Sequence, residues 1–209
     1  MRLSFIAVVS DQQFRDLLHV RNESREGLTH DVNELTLQDQ KAWRAKCWRE
    51  RAEYDYPIWP APGADRLEWY EPYLLMDWNW PIGYGLLKWD GTKYWMTAGI
   101  VKGYRGKGLS RFLISYITEM GHREGAEVWI DVLDNNLALF GDIRVGYEFV
   151  EENAEKHDVQ LHVMKHNRER ILKPREAKWM KEHGKSVPTY DILEEMIEVD
   201  KISRNVGIA

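Results

Sequence analysis

Apolar residues recur along this chain with two different periods, and the alternation between them predicts most of its elements. Leu3 to Val9 is rich in strand-forming residues and ends at Ser10-Asp11, which can cap a helix carrying Phe14, Leu17, Leu18 and Arg21. After a polar stretch from Asn22 to Leu35, Thr36 precedes Leu37, Gln40, Trp43, Cys47 and Trp48. Spacings of three and four predict a second helix with one apolar face, reaching to about Tyr54. Pro57, Pro60 and Pro62 lack amide donors and restrict the residues before them, so Tyr56 to Gly63 is a loop. Strands follow at Glu68 to Asp77, Gly83 to Trp89 and Lys93 to Val101, the last two joined by the hairpin signal Asp90-Gly91, whose residues tolerate positive φ. Leu109, Phe112, Leu113, Tyr116, Ile117 and Met120 mark an amphipathic helix that Gly121 or Gly125 ends. A strand at Val128 to Leu133, a short helix at Leu137 to Val145, and a strand pair at Tyr147 to Val150 and Val159 to Met164 complete the pattern.

Beyond Lys165 the pattern changes. Asn167 to His183 is charged with sparse apolar positions, Pro188 breaks the chain, and Asp191 to Ile202 is acidic and amphipathic. Residues 1–166 therefore read as one α+β domain and 167–209 as a helical C-terminal extension packed on it. The apolar positions Ile192, Met196, Ile197 and Val199 predict docking of the tail on its own core or on a second copy of the chain; the second arrangement is a homodimer.

Composition narrows the function. At 209 residues the chain fits one domain with an appendage, and 44% hydrophobic residues suffice for a core. The formal charge of −5 opposes unspecific attraction to nucleic acid or an anionic membrane. The lone Cys47 excludes an internal disulfide framework and a multi-thiolate metal site; between Trp43 and Trp48 it reads as a small buried apolar residue. The opening apolar run is too short for a membrane span and Asp11 follows it without a cleavage pattern, so cytoplasmic residence is expected. His162 and His166 lie four apart, but a strand end is not expected to gather them on one face, and no metal is predicted.

The stretch that carries chemistry joins a strand to a helix: Lys102-Gly103-Tyr104-Arg105-Gly106-Lys107-Gly108-Leu109-Ser110-Arg111. Gly106 and Gly108 let the backbone turn tightly and approach a ligand, and amides at the helix start carry partial positive charge. Arg105, Lys107 and Arg111 add cations and Ser110 a hydroxyl, a set suited to a pyrophosphate. Here the sequence resembles the GNAT superfamily of N-acetyltransferases, whose coenzyme A loop reads Arg or Gln, any two, Gly, any one, Gly or Ala. Arg105 to Ser110 matches all but the last position, where Ser110 is the small residue. The order of hairpin, glycine-loop helix, strand Trp129-Ile130-Asp131-Val132, asparagine at 135 or 136, and Gly146-Tyr147-Glu148-Phe149 is also similar to the family.

The resemblance implies a mixed, mostly antiparallel sheet flanked by helices, with acetyl-coenzyme A as co-substrate and no metal. It implies a splay between two parallel strands, where the pantetheine arm pairs with backbone around Ala98, Gly99 and Ile100. Residues 106–111 would hold the pyrophosphate, and Asn136, with Asn135 as the alternative, would meet the arm. Amine acetylation commonly uses a base and an acid. Asp131 sits where some branches place a glutamate base, the alternative being a strand-edge cap. The family's tyrosine acid would fall at Asp142 or Ile143, so Tyr147, Tyr116 or water is left to donate.

Aromatics crowd residues 54–80 beside carboxylates, which suits a cationic amine or a sugar ring. Tyr56, Trp59, Trp80 and Asp77 are the candidate acceptor contacts, whereas Trp69, Tyr73 and Trp78 read as packing on an alternating strand. The reading is an N-acetyltransferase acting on a primary amine by direct transfer in a ternary complex. Its rivals are an inactive interaction protein of the same fold and an acyltransferase for a nucleobase or nucleotide amino sugar.

Overall fold

In the computed structural model the residues described are 2–27, 33–52, 69–123, 125–136, 138–156, 159–168 and 174–184. Within them a seven-stranded sheet runs in the order β1-β2-β3-β4-β5-β7-β6. The strands are β1 (Leu3–Ala7), β2 (Trp69–Asp77), β3 (Trp80–Trp89), β4 (Tyr94–Ile100), β5 (Val128–Leu133), β6 (Tyr147–Lys156) and β7 (Val159–His166). The helices are α1 (Asp11–Ser24), α2 (Leu37–Ala52), α3 (Leu109–Arg123), α4 (Ala138–Arg144) and α5 (Pro174–Glu182). All neighbouring strands are antiparallel except β4 and β5. This is the mixed, mostly antiparallel α+β sheet expected.

Two apolar layers sandwich the sheet because alternate strand residues point to opposite faces. Phe14, Leu17 and Val20 of α1 pack with Leu74, Met76 and Tyr84, and Trp43 of α2 leans on that cluster. On the other face Leu113 and Ile117 of α3, Leu139 and Ile143 of α4, and Trp179 and Met180 of α5 share one core with Leu87, Ile130 and Met164. Helix α5 thus belongs to the main core; the expected tail helix at Asp191 to Ile202 lies outside the described residues. No helix among the described residues is long and apolar enough to cross a membrane.

Local chemistry sets the element ends. Ser10 caps α1 by accepting from the Gln13 amide, and Gln13 returns a bond to the Ser10 amide. The hairpin at Asp90-Gly91 is a four-residue connection in which the Asp90 carboxylate accepts the Thr92 and Lys93 amides and the Trp95 indole. Helix α3 runs through Gly121, which packs where a side chain would strike Val128, and stops before Gly125 at φ +76°. The predicted apolar face of α2 is only partly formed: Leu37 is exposed while Gln40 is buried. The strand pair at the end is longer than expected, because β6 continues past Val150 through register shifts opposite β7.

Candidate active site: a splayed sheet and a glycine loop

Strands β4 and β5 pair at Tyr94–Val128 and Trp95–Trp129, after which β4 continues to Ile100 and β5 to Leu133 without a shared register. The two strands therefore diverge toward their C-terminal ends. In the gap lies a cleft of about 540 Å³. Ala98, Gly99 and Ile100 form one wall, Leu133, Asn135, Asn136 and Ala138 the other, and Leu109, Ser110, Leu113 and Ile114 of α3 the base. Ser24 and Glu26, at the end of α1, border it from the opposite sheet face. Gly99 has no room for a side chain: a Cβ there would lie 2.4 Å from Ser24 Oγ, so α1 and β4 meet at the cleft edge.

The glycine loop rims this cleft. Gly106 and Gly108 adopt φ +78° and +77°, a region that favours glycine, and nothing lies within 4 Å of where their Cβ atoms would be. The loop is therefore open to solvent above the start of α3. Ser110 and Arg105 line the cleft beside it. The Arg105 guanidinium is already engaged, however: Nε donates to the Ile100 carbonyl at 3.0 Å and Nη1 pairs with Glu26 at 3.3 Å. Arg105 thus ties the end of β4 to the end of α1, and its charge is partly spent inside the protein. Lys107 lies over the Tyr104 ring at 4.6 Å, exposed on the rim, and Gly108 and Lys107 do not line the cleft. The Arg111 stem packs beside Gly141 of α4 and likewise falls outside the cleft.

The asparagine question has a clear geometry. Both Asn135 and Asn136 line the cleft, and Asn136 Oδ1 accepts the Ala138 amide at 2.9 Å, capping α4. That bond fixes the amide plane of Asn136 beside the gap. Asp131 is half-buried on β5, two residues past the last rung shared with β4 and two before Leu133, on the sheet face away from α3. It stands at the vertex of the splay and is not among the cleft-lining residues.

Three expectations require correction. Tyr147 is 1% exposed and its hydroxyl shares a 2.7 Å hydrogen bond with Thr118, so it is sealed beneath α3 and cannot reach a leaving group. Asp77 is occupied at the sheet edge, where its carboxylate accepts the Arg2 amide, and Trp80 sits 74% exposed where β2 turns into β3. Neither borders the cleft; they form the last rung of β2 and β3. His162 and His166 do share one face, since strand residues four apart must, but they go to different partners: His162 to Asp134 and His166 to His122. Among the described residues no cluster of three His, Cys, Asp or Glu side chains is arranged to hold a metal ion. Tyr56 and Trp59 lie outside the described residues.

Sequence reasoning missed Ser24 and Glu26, which arrive from a helix nearly eighty residues away in sequence, as the Glu26–Arg105 pair shows. Leu113 was legible, since it follows Leu109 by one helical turn on the predicted face, whereas Ile114 lies off that face. Burial leaves its mark on Asp142, the residue in the tyrosine's expected place. It is 4% exposed on α4 and its carboxyl is pushed up to about 8 by burial. Burial likewise pushes the Tyr84 phenol well above its ordinary value, with Arg21 opposing.

The fold recurs in solved proteins. The spermidine N-acetyltransferase of Vibrio cholerae, solved with CoA and spermine, is 13% identical with a TM-score of 0.59, covering 78% of this chain and 93% of its own. Salmonella typhimurium yncA, solved with its cofactor acetyl-CoA, is 12% identical with a TM-score of 0.57, covering 79% and 93%. The ribosomal-protein-S18-alanine N-acetyltransferase of Escherichia coli is 10% identical with a TM-score of 0.53, covering 78% and 92%. At such identities the likeness is one of fold, and no curated protein matches the sequence. A profile of the acetyltransferase (GNAT) family matches residues 37–147, which include β2 to β5, the glycine loop and α4, and the chain belongs to that family.

Proposed function

We propose that the protein is an acetyl-coenzyme A-dependent N-acetyltransferase that transfers the acetyl group directly to a primary amine in a ternary complex. The observation that carries this reading is the splay of β4 from β5 with the open glycine loop at its mouth. Parallel strands that part company leave backbone donors and acceptors along Ala98 to Ile100 facing a gap, where an extended amide-bearing arm supplies the missing rungs. Amides at the start of α3 and the glycines at 106 and 108 suit the diphosphate, and Ser110 adds a donor. Coenzyme A brings an acetyl thioester, activated for attack, to the vertex of the gap.

Protein groups then supply charge and proton handling. Asp131, at that vertex, takes the proton from the attacking amine as the C–N bond forms and the C–S bond breaks, and the departing thiolate is reprotonated from water. Glu26 and Ser24 line the α1 side of the cleft, with the Glu26 carboxylate paired to Arg105. The Vibrio cholerae polyamine acetyltransferase makes spermidine and spermine sensible first acceptors to try. A second reading, an interaction protein that binds coenzyme A without chemistry, is favoured by one observation: Tyr147 is walled off behind Thr118.

Calorimetric titration of acetyl-coenzyme A into the protein and into Gly108→Asp tests the site. The wild type should bind and the variant should not, because bulk, negative charge and strain enter a loop held at positive φ. Equal affinities would refute the assignment. Binding without acetyl transfer to any amine of a broad panel would select the second reading.

A further inference from the structure

Asp134, the residue directly after β5, gathers three side chains from two other elements. His162 of β7 donates from Nε2 to Asp134 Oδ1 at 2.7 Å, and the indole of Trp179 in α5 donates to the same oxygen at 3.0 Å. His183, just beyond α5, stands 3.7 Å from Oδ2 and stacks on Trp179 with ring centroids 4.0 Å apart. His183 Nδ1 also meets the Trp179 carbonyl at 2.8 Å, which holds the two rings as a unit. Trp179 packs edge-on against Phe149 and His162, so the carboxylate's partners are themselves held by the core. Burial would raise the Asp134 carboxyl, yet the hydrogen bonds from His162 and Trp179 outweigh it and hold the group below its usual range.

Asp134 is followed immediately by Asn135 and Asn136, which wall the cleft. The turn is short and tied by three backbone bonds: the Asp134 amide donates to the Gln160 carbonyl, the Asn136 amide to the Leu133 carbonyl, and the Leu139 amide to the Asn136 carbonyl. A displacement of Asp134 is therefore passed to Asn136 with little slack.

We propose that α5, in the C-terminal extension, sets coenzyme affinity by clamping the Asp134 carboxylate, which makes Asp134, Trp179 and His183 positioning residues for the Asn135–Asn136 wall. The inference rests on the coenzyme reading of the cleft. Trp179 acts on that wall through Asp134. By reciprocity, a ligand that favours the clamped turn must also favour docked α5.

The test uses the full chain, Trp179→Phe, which keeps an aromatic ring and removes the donor, and His183→Gln, a milder change at the half-exposed ring. Coenzyme A is titrated by calorimetry into all three, and unliganded melting temperatures are recorded alongside. Trp179→Phe should weaken Kd about three- to tenfold, the worth of one hydrogen bond to a charged group shared between clamp and fold. In the acetylation assay KM for the coenzyme should rise while kcat stays near wild type. Saturating coenzyme A should slow amide exchange across residues 176–183 of the wild type. Variant affinities within twofold of wild type, whatever the melting temperatures, overturn the clamp and leave the site reading intact. An unchanged exchange rate in α5 on coenzyme binding overturns it equally. No heat with the wild type itself would remove the site reading and this inference together.

Discussion

Replacing Asp142 by Asn should stabilise the protein, and by an amount that depends on pH in a defined way. Asp142 is buried on α4 with no hydrogen-bond or ion-pair partner among the described residues, and burial moves its carboxyl from 3.8 to about 8. The folded form therefore holds a proton that the unfolded chain releases. Stability is fully present below the unfolded value near 4, declines as pH rises, and levels off above the folded value near 8. A displacement of about four pH units at roughly 1.4 kcal/mol each sets a ceiling of about 5 kcal/mol at pH 8, and about 4 kcal/mol at pH 7. Asn has the same shape and no proton to lose, so the variant should lack this decline, although its own amide must be buried at some cost. The measurement is urea denaturation of both proteins at intervals from pH 4.5 to pH 8.5, compared as a difference so that other titrating groups cancel. The variant should draw level near the acid end and lead by several kcal/mol at the alkaline end, a gain in melting temperature of roughly 8–16 °C at pH 7. A difference that stays constant across this range would refute the reasoning, since it would mean that Asp142 ionises in the folded state as freely as in the unfolded one.

Four further outcomes are expected. Asp131→Asn should lower kcat at least about a hundredfold with coenzyme Kd unchanged. Ser10→Ala removes one half of the reciprocal cap of α1 and should cost about 1 kcal/mol, read as a fall of about 2–4 °C in melting temperature. Thr118→Val deletes the hydroxyl paired with Tyr147 and should cost about 1–2 kcal/mol by chemical denaturation, with kcat/KM unaltered because neither residue borders the cleft. Gly99→Val should lower coenzyme affinity at least about tenfold by calorimetry, because its side chain must displace Ser24 or Tyr84 at the cleft edge.

Much of the sheet was legible because its signals are local. Asp90-Gly91 announces a hairpin, through the positive φ of Gly91 and the bonds of the Asp90 carboxylate to the turn amides, and the α3 stripe repeats often enough to outvote its glycine at 121. The glycine loop was legible for the same reason, since Gly106 and Gly108 owe their conformations to their neighbours in sequence. What could not be read depends on distant segments. Arg105 looks in sequence like a phosphate ligand, yet Glu26 and the Ile100 carbonyl take its charge and donors. Tyr147 looks like a donor until α3 folds over it, and Asp77 and Trp80 look like a binding pair until the register of β2 and β3 places them at a turn. The burial of Glu176 was hidden by its charge: it accepts the Phe149 amide, so a residue that reads as a solvated acid instead meets a backbone donor of β6.

The two rungs between β4 and β5 make the sheet a pair of slabs with a narrow backbone seam. One slab is β1 to β4, the other β5 to β7, and beyond the seam they are bridged by side chains of α3 and by whatever occupies the gap. A molecule bonded to both strand edges would therefore serve as a brace as well as a reactant. Occupancy at a hundred times Kd would add roughly 2.7 kcal/mol to global stability, and that reinforcement would fall where the protein's own hydrogen bonding is thinnest. Each release of product would then withdraw the brace, and opening across the seam would be fastest in the interval when the next substrate must enter.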